Sequence, residues 1–81
     1  MKVTLVYHAL LREKTGVCEE SIELPEGADI SRALIFLREK YAGLESLWPA
    51  VKFAVNEEFA QSNKTLREGD RVDVLPPFGG G

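Results

Sequence analysis

Apolar and polar residues alternate from the start of the chain. Across residues 2–8, Val3, Leu5 and Tyr7 fall on one side and Thr4, Val6 and His8 on the other, the period-two pattern of a strand with one buried face. Ala9 to Lys14 suits a short helical turn closed by Gly16, a residue that tolerates the left-handed backbone at a helix end. A second strand is predicted over 18–24, with Ile22 and Leu24 inward, Ser21 and Glu23 outward, and Pro25-Glu26-Gly27 as the turn that ends it. The period then changes. Asp29 is placed to cap a helix, since its carboxylate accepts a backbone N–H of the first turn. Ile30, Ala33, Leu34, Leu37 and Tyr41 recur at helical spacing, which lays one apolar stripe along the helix. Arg38 and Lys40 suit the negative end of its dipole, and Gly43 is expected just past its C-terminus.

Residues 44–49 read as a connector, with Trp48 packed down over the edge of the core. Val51, Phe53 and Val55 alternate in a third strand that reaches a turn at Asn56-Glu57-Glu58, and Phe59 and Ala60 allow a short fourth strand. Leu66-Arg67-Glu68-Gly69-Asp70 is a further turn. In the last strand, 71–75, Val72 and Val74 point inward and Arg71, Asp73 and Leu75 outward. This order predicts an α+β fold: a mixed sheet of about five strands with one main helix packed across it, a roll whose commonest version is the ubiquitin-like β-grasp. The expected organisation is one domain over 1–75 and an extended C-terminal tail over 76–81.

Composition narrows the functions open to such a domain. With 81 residues, the chain has room for one modest core and little for a deep catalytic cleft. Ten Lys and Arg against thirteen Asp and Glu leave a net charge of −3, which argues against a nucleic-acid partner. No apolar run approaches the roughly 18 residues of a membrane span, and the first residues lack the apolar stretch of a signal peptide, so the expectation is a cytoplasmic protein with no membrane partner. One cysteine, Cys18, and one histidine, His8, do not make an internal disulfide or a structural zinc site. No metal is expected, and no cofactor held by this chain alone. Cys18 reads as inert, because the charges of Glu19 and Glu20 disfavour a thiolate. His8 has no nucleophile or carboxylate at a fixed spacing and reads as a surface or partner-facing residue. Glu19-Glu20 and Glu57-Glu58 read as solvated pairs suited to meeting a basic partner.

The end of the chain carries the chemistry. After Leu75 it reads Pro76-Pro77-Phe78-Gly79-Gly80-Gly81. The prolines lack the N–H of a central strand and favour an extended path. At about 3.3 Å per residue the arm reaches on the order of 20 Å. Glycine passes where a Cβ would clash, and a terminal carboxylate is an oxygen nucleophile toward the α-phosphate of ATP. No Gly-x-x-x-x-Gly-Lys loop is present to cradle ATP, so activation is expected from a separate protein. Leu75, Phe78 and Phe59 form a candidate apolar patch beside the arm, although Phe59 alone fits the core equally well.

The run from Leu66 through Gly81, with Gly69-Asp70-x-Val72, Pro76-Pro77 and terminal glycines, resembles the end of the small subunits of molybdopterin synthase. The resemblance extends to the first strand, to Leu11-Arg12-Glu13 followed by Gly16, and to Val55-Asn56. It implies a ubiquitin-like sulfur carrier. An adenylating enzyme would use ATP to activate Gly81, which then becomes a thiocarboxylate. Gly80 and Gly79 would thread a channel in the large subunit, where the sulfur passes to cyclic pyranopterin monophosphate. Phe59, Leu75, Pro76, Pro77 and Phe78 would meet partners. Two positions depart from the family pattern: Gly79 stands where a small polar residue or alanine is common, and His8 where an aromatic is common. Sulfur carriage for thiamine or cysteine synthesis, ubiquitin-like conjugation through an isopeptide bond, and a non-catalytic interaction module remain alternatives, with Pro76-Pro77 disfavouring the thiamine branch.

Overall fold

The computed structural model describes residues 1–77. Strand β1 (Lys2–Tyr7) leads into a short helix α1 (Leu10–Thr15), then β2 (Glu19–Glu23), the main helix α2 (Ile30–Lys40), β3 (Lys52–Val55), β4 (Glu58–Ala60) and β5 (Arg71–Leu75). The five strands form one sheet in the order β2-β1-β5-β3-β4. Strands β1 and β5 are parallel, and the other neighbours are antiparallel. The architecture is the α+β roll that the element order predicts.

Alternation sorts each strand into two faces. Val3, Leu5, Tyr7, Ile22, Phe53, Val55, Val72 and Val74 are buried on the helix side, against Ile30, Ala33 and Leu37 of α2. Trp48 closes the core between α2 and β3, as expected, and its indole N–H donates to the Tyr41 carbonyl at 3.1 Å. That bond satisfies the polar atom of a buried aromatic.

Asp29 caps α2 by accepting from the Arg32 N–H at 3.3 Å, and the Ser31 hydroxyl also donates to it. The Ser31 hydrogen bond is the largest influence that holds the Asp29 carboxyl below its ordinary pKa. The N–H groups of Ile30 and Ser31 donate to the carbonyls of Lys64 and Ser62, so the loop before β5 completes the cap. The C-terminal end differs from the glycine stop expected at Gly43. Helix α2 ends at Lys40 and tightens into a 3₁₀ turn over Ala42–Leu44 that contains Gly43. The chain must double back at once to bring Trp48 onto the core, and a tightened last turn does so without a left-handed residue.

Glu20 departs from the solvated pair that the sequence suggests. It lies opposite Leu5, on the helix side at the sheet edge. Its carboxylate accepts from Tyr7 Oη and Tyr41 Oη, each at 2.6 Å, and from Lys40 Nζ. This cluster ties β1, β2 and the end of α2 together. Partial burial works to raise the Glu20 pKa, but the bonds from Lys40, Tyr41 and Tyr7 outweigh it and hold it below its ordinary value. Burial, reinforced by Glu20, drives the Tyr7 phenol far above its ordinary value.

A depressed Glu20 pKa stabilises the fold above the unfolded value, and the stabilisation is lost as pH falls through the folded value. Glu20→Gln should therefore cost about 1–3 kcal/mol near neutrality and much less in acid below the folded pKa, read from urea unfolding across pH. The β3–β4 turn is a two-residue loop with φ of +48° at Asn56 and +74° at Glu57. Asparagine adopts that conformation readily and glutamate only at a cost. Glu57→Gly should raise stability by about 1 kcal/mol, measured by the same unfolding.

Candidate functional site

The last strand sets the site. Strand β5 is the middle of the five, paired with β1 along Thr4–Tyr7 and with β3 along Lys52–Val55. Val72 and Val74 are wholly buried beneath it, while Leu75 is half-buried opposite Lys52. The His8 N–H continues the ladder by donating to the Val74 carbonyl at 3.3 Å. Pro76 and Pro77 follow, half-buried, and carry the backbone away from the sheet without ladder donors. Phe78, Gly79, Gly80 and Gly81 lie outside the described residues.

The face of the sheet turned away from α2 presents the remaining candidates. Register places Phe59, Ala54, Asp73, Val6 and Glu19 in one row across β4, β3, β5, β1 and β2. Phe59 is 73% exposed, so the surface reading holds for it and the core reading does not. It shares this face with Leu75 but stands two strands away, about 10 Å by ordinary strand spacing. The structure thus brings Leu75, Pro76 and Pro77 together at the exit of β5 and sets Phe59 apart at the sheet edge, with Ala54 and Val6 as smaller apolar positions.

Two pairs of charged or titratable side chains lie on this face. Arg71 Nη2 donates to Glu19 Oε1 at 2.9 Å. His8 Nε2 lies 2.9 Å from Asp73 Oδ1. The sequence gives no sign of this second pair, because its members are 65 positions apart. Parallel pairing of the first and last strands is what joins them. The only signal was parity: both residues fall on the outward side of their strands.

Chemistry beyond these pairs is sparse. Cys18 is exposed. Among the described residues, no group of three His, Cys, Asp or Glu is placed to hold a metal ion, and no helix is long and apolar enough to cross a membrane. A groove of about 710 Å³ beside β4 is lined by Leu34, Trp48, Pro49, Phe53 and Phe59, with Lys52 as its one titratable group. It offers apolar surface and no acid–base pair.

A mixed five-stranded sheet with its last strand in the centre and one main helix packed across it is the ubiquitin-like β-grasp fold. A model of the ThiS family matches residues 5–81. A molybdopterin synthase sulfur carrier subunit from Chlamydomonas reinhardtii is 34% identical over 83 residues, covering all of both chains. A Pyrococcus furiosus structure described as molybdopterin converting factor subunit 1 is similar at a TM-score of 0.86 and 32% identity, covering 95% of this chain and 98% of that one. A chain in the complex of subunits 1 and 2 of molybdopterin-converting factor from Helicobacter pylori is similar at a TM-score of 0.74 and 26% identity, with both chains fully covered. The chain belongs to the ThiS family.

The exposure of Phe59 has a direct consequence. Phe59→Ala should change folding stability by no more than about 0.5 kcal/mol, measured by urea unfolding. A buried phenylalanine would instead cost about 3–5 kcal/mol.

Proposed function

We propose that this chain is the sulfur-carrying small subunit of a molybdopterin synthase, with residues 1–75 as the carrier body and 76–81 as its delivery arm. The observation that carries the reading is the passage from the central strand β5 through Pro76-Pro77 into three glycines, in a chain that matches a molybdopterin synthase sulfur carrier subunit over its whole length.

The chemistry belongs to the Gly81 carboxylate. One of its oxygens attacks the α-phosphorus of ATP in a separate activating enzyme, and pyrophosphate leaves. Hydrosulfide then attacks the acyl carbon and AMP leaves, so that the arm ends in a thiocarboxylate. Gly79 and Gly80 give the arm the narrow cross-section needed to enter the large subunit. There the sulfur passes to cyclic pyranopterin monophosphate. Leu75, Pro76 and Pro77 at the exit of β5, Phe59 at the sheet edge and Phe78 on the arm are the residues assigned to meeting these partners. In this reading ATP is the activating enzyme's substrate and not a cofactor of this chain. Dependence on ATP fits a cytoplasmic location.

Intact mass spectrometry tests the activation step. The chain is incubated with ATP, a sulfide source and the activating enzyme of the same organism, beside a Gly81-deleted chain. The expected result is a mass gain equal to exchange of one oxygen for sulfur in the full chain alone. Conjugates of the chain to lysines of other proteins, with no such exchange, would instead support the isopeptide reading.

A further inference from the structure

The groove of about 710 Å³ beside β4 opens next to the root of the arm. Val51 and Lys52 line its rim, and Lys52 stands directly opposite Leu75 across the β3–β5 ladder. Pro76 and Pro77 are half-buried, so the first residues of the arm stay against the body. The groove is lined by three aromatic side chains, Trp48, Phe53 and Phe59, together with Leu34 and Ala60. Such a lining suits an aromatic ring, which can bury its faces and edge against its neighbours.

The chain carries one such ring beside the groove. Of the four residues after Pro77, Phe78 alone has a side chain. At about 3.3 Å per residue its Cα reaches up to about 10 Å from that of Leu75. Two strand spacings, from β5 across β3 to β4, cover about the same distance. A tether this short gives an effective concentration on the order of millimolar, so even a weak contact is populated. Charge agrees with the placement. Lys52 is exposed and in no ion pair among the described residues, and it complements the anionic tip of an arm laid along this rim.

We propose that Phe78 seats in the groove beside β4 while the chain is free of partners, straps the arm along the body, and holds Gly79, Gly80 and Gly81 there until a partner draws the ring out. The strap needs no chemistry at Gly81. Its regulatory meaning, a reactive end withheld until a partner is present, rests on the carrier reading given above.

Isotope-edited NMR of the full chain tests the strap. Nuclear Overhauser contacts are expected from the Phe78 ring to Leu34, Phe59 and Ala60. Phe78→Ala should shift the signals of these residues and leave those of β2 in place. In a mixture of labelled and unlabelled chains the contacts should remain within one chain. Ala60→Glu puts a charge in the groove and leaves the arm itself unchanged. With its unfolding midpoint as a fold control, carboxypeptidase should trim its arm at least threefold faster than that of the wild type.

Absence of the contacts, with no groove shifts in Phe78→Ala, would overturn the proposal. Contacts found only between chains would overturn it in favour of arm exchange between two copies. Equal trimming of the wild type and a folded Ala60→Glu chain would overturn the withholding of the arm. None of these measurements uses ATP, sulfide or a second protein, so their failure leaves the mass-exchange result as it stands. Absence of mass exchange would remove the carrier reading without touching the strap, which separates the two failures.

Discussion

Hydrogen bonding of β5 on both sides is the constraint from which the rest of the molecule follows. The last strand is inserted between the first strand and the third, parallel to one and antiparallel to the other. No part of the sheet is complete until the end of the chain arrives. Once in place, Val72 and Val74 lock it against the helix layer, and the residues after Leu75 leave from a strand paired on both sides rather than from a fraying edge. For the delivery role proposed above, such an anchor would let the body define where the arm starts.

The same strand divides labour between its faces. Residues of even number in β5 bury into the core, and residues of odd number carry charge and apolar surface to the outside. Arg71, Asp73 and Leu75 thus form a graded strip leading toward the arm, with Arg71 paired to Glu19, Asp73 to His8, and Leu75 bordering the prolines. The helix side is sealed by Trp48 and by the Glu20 cluster, which joins Tyr7 of β1 and Lys40 and Tyr41 at the end of α2 to β2. The core and the Glu20 cluster therefore lie on one side of the sheet, and the residues proposed to meet partners lie on the other or at the exit of β5.

Much of this was legible in the sequence where the signal is local. Alternation at Val3, Leu5 and Tyr7, the Asp29 cap, the apolar stripe of α2 and the packing of Trp48 all depend on residues within one or two turns of one another, and each stands where the pattern puts it. The arm, too, is a feature of sequence alone. What was hidden depends on register between distant segments. Glu20 looked like one of a solvated pair, because nothing near it shows that Tyr7 and Tyr41 converge on its carboxylate. His8 looked solitary because its partner lies on the last strand. Gly43 looked like a helix stop because the need to return Trp48 to the core is a tertiary demand that overrides the local preference.

The most direct measurement of the central claim is sulfur transfer from the purified thiocarboxylate form of the chain, in the absence of ATP, to candidate acceptors with their cognate enzymes. Loss of the thiocarboxylate mass is followed alongside formation of the sulfur-containing product. The account predicts that the thiocarboxylate is consumed and dithiolene product accumulates only when the large synthase subunit and cyclic pyranopterin monophosphate are both present. A thiocarboxylate that survives this mixture but is consumed by the enzymes of thiamine or cysteine synthesis would contradict the assignment.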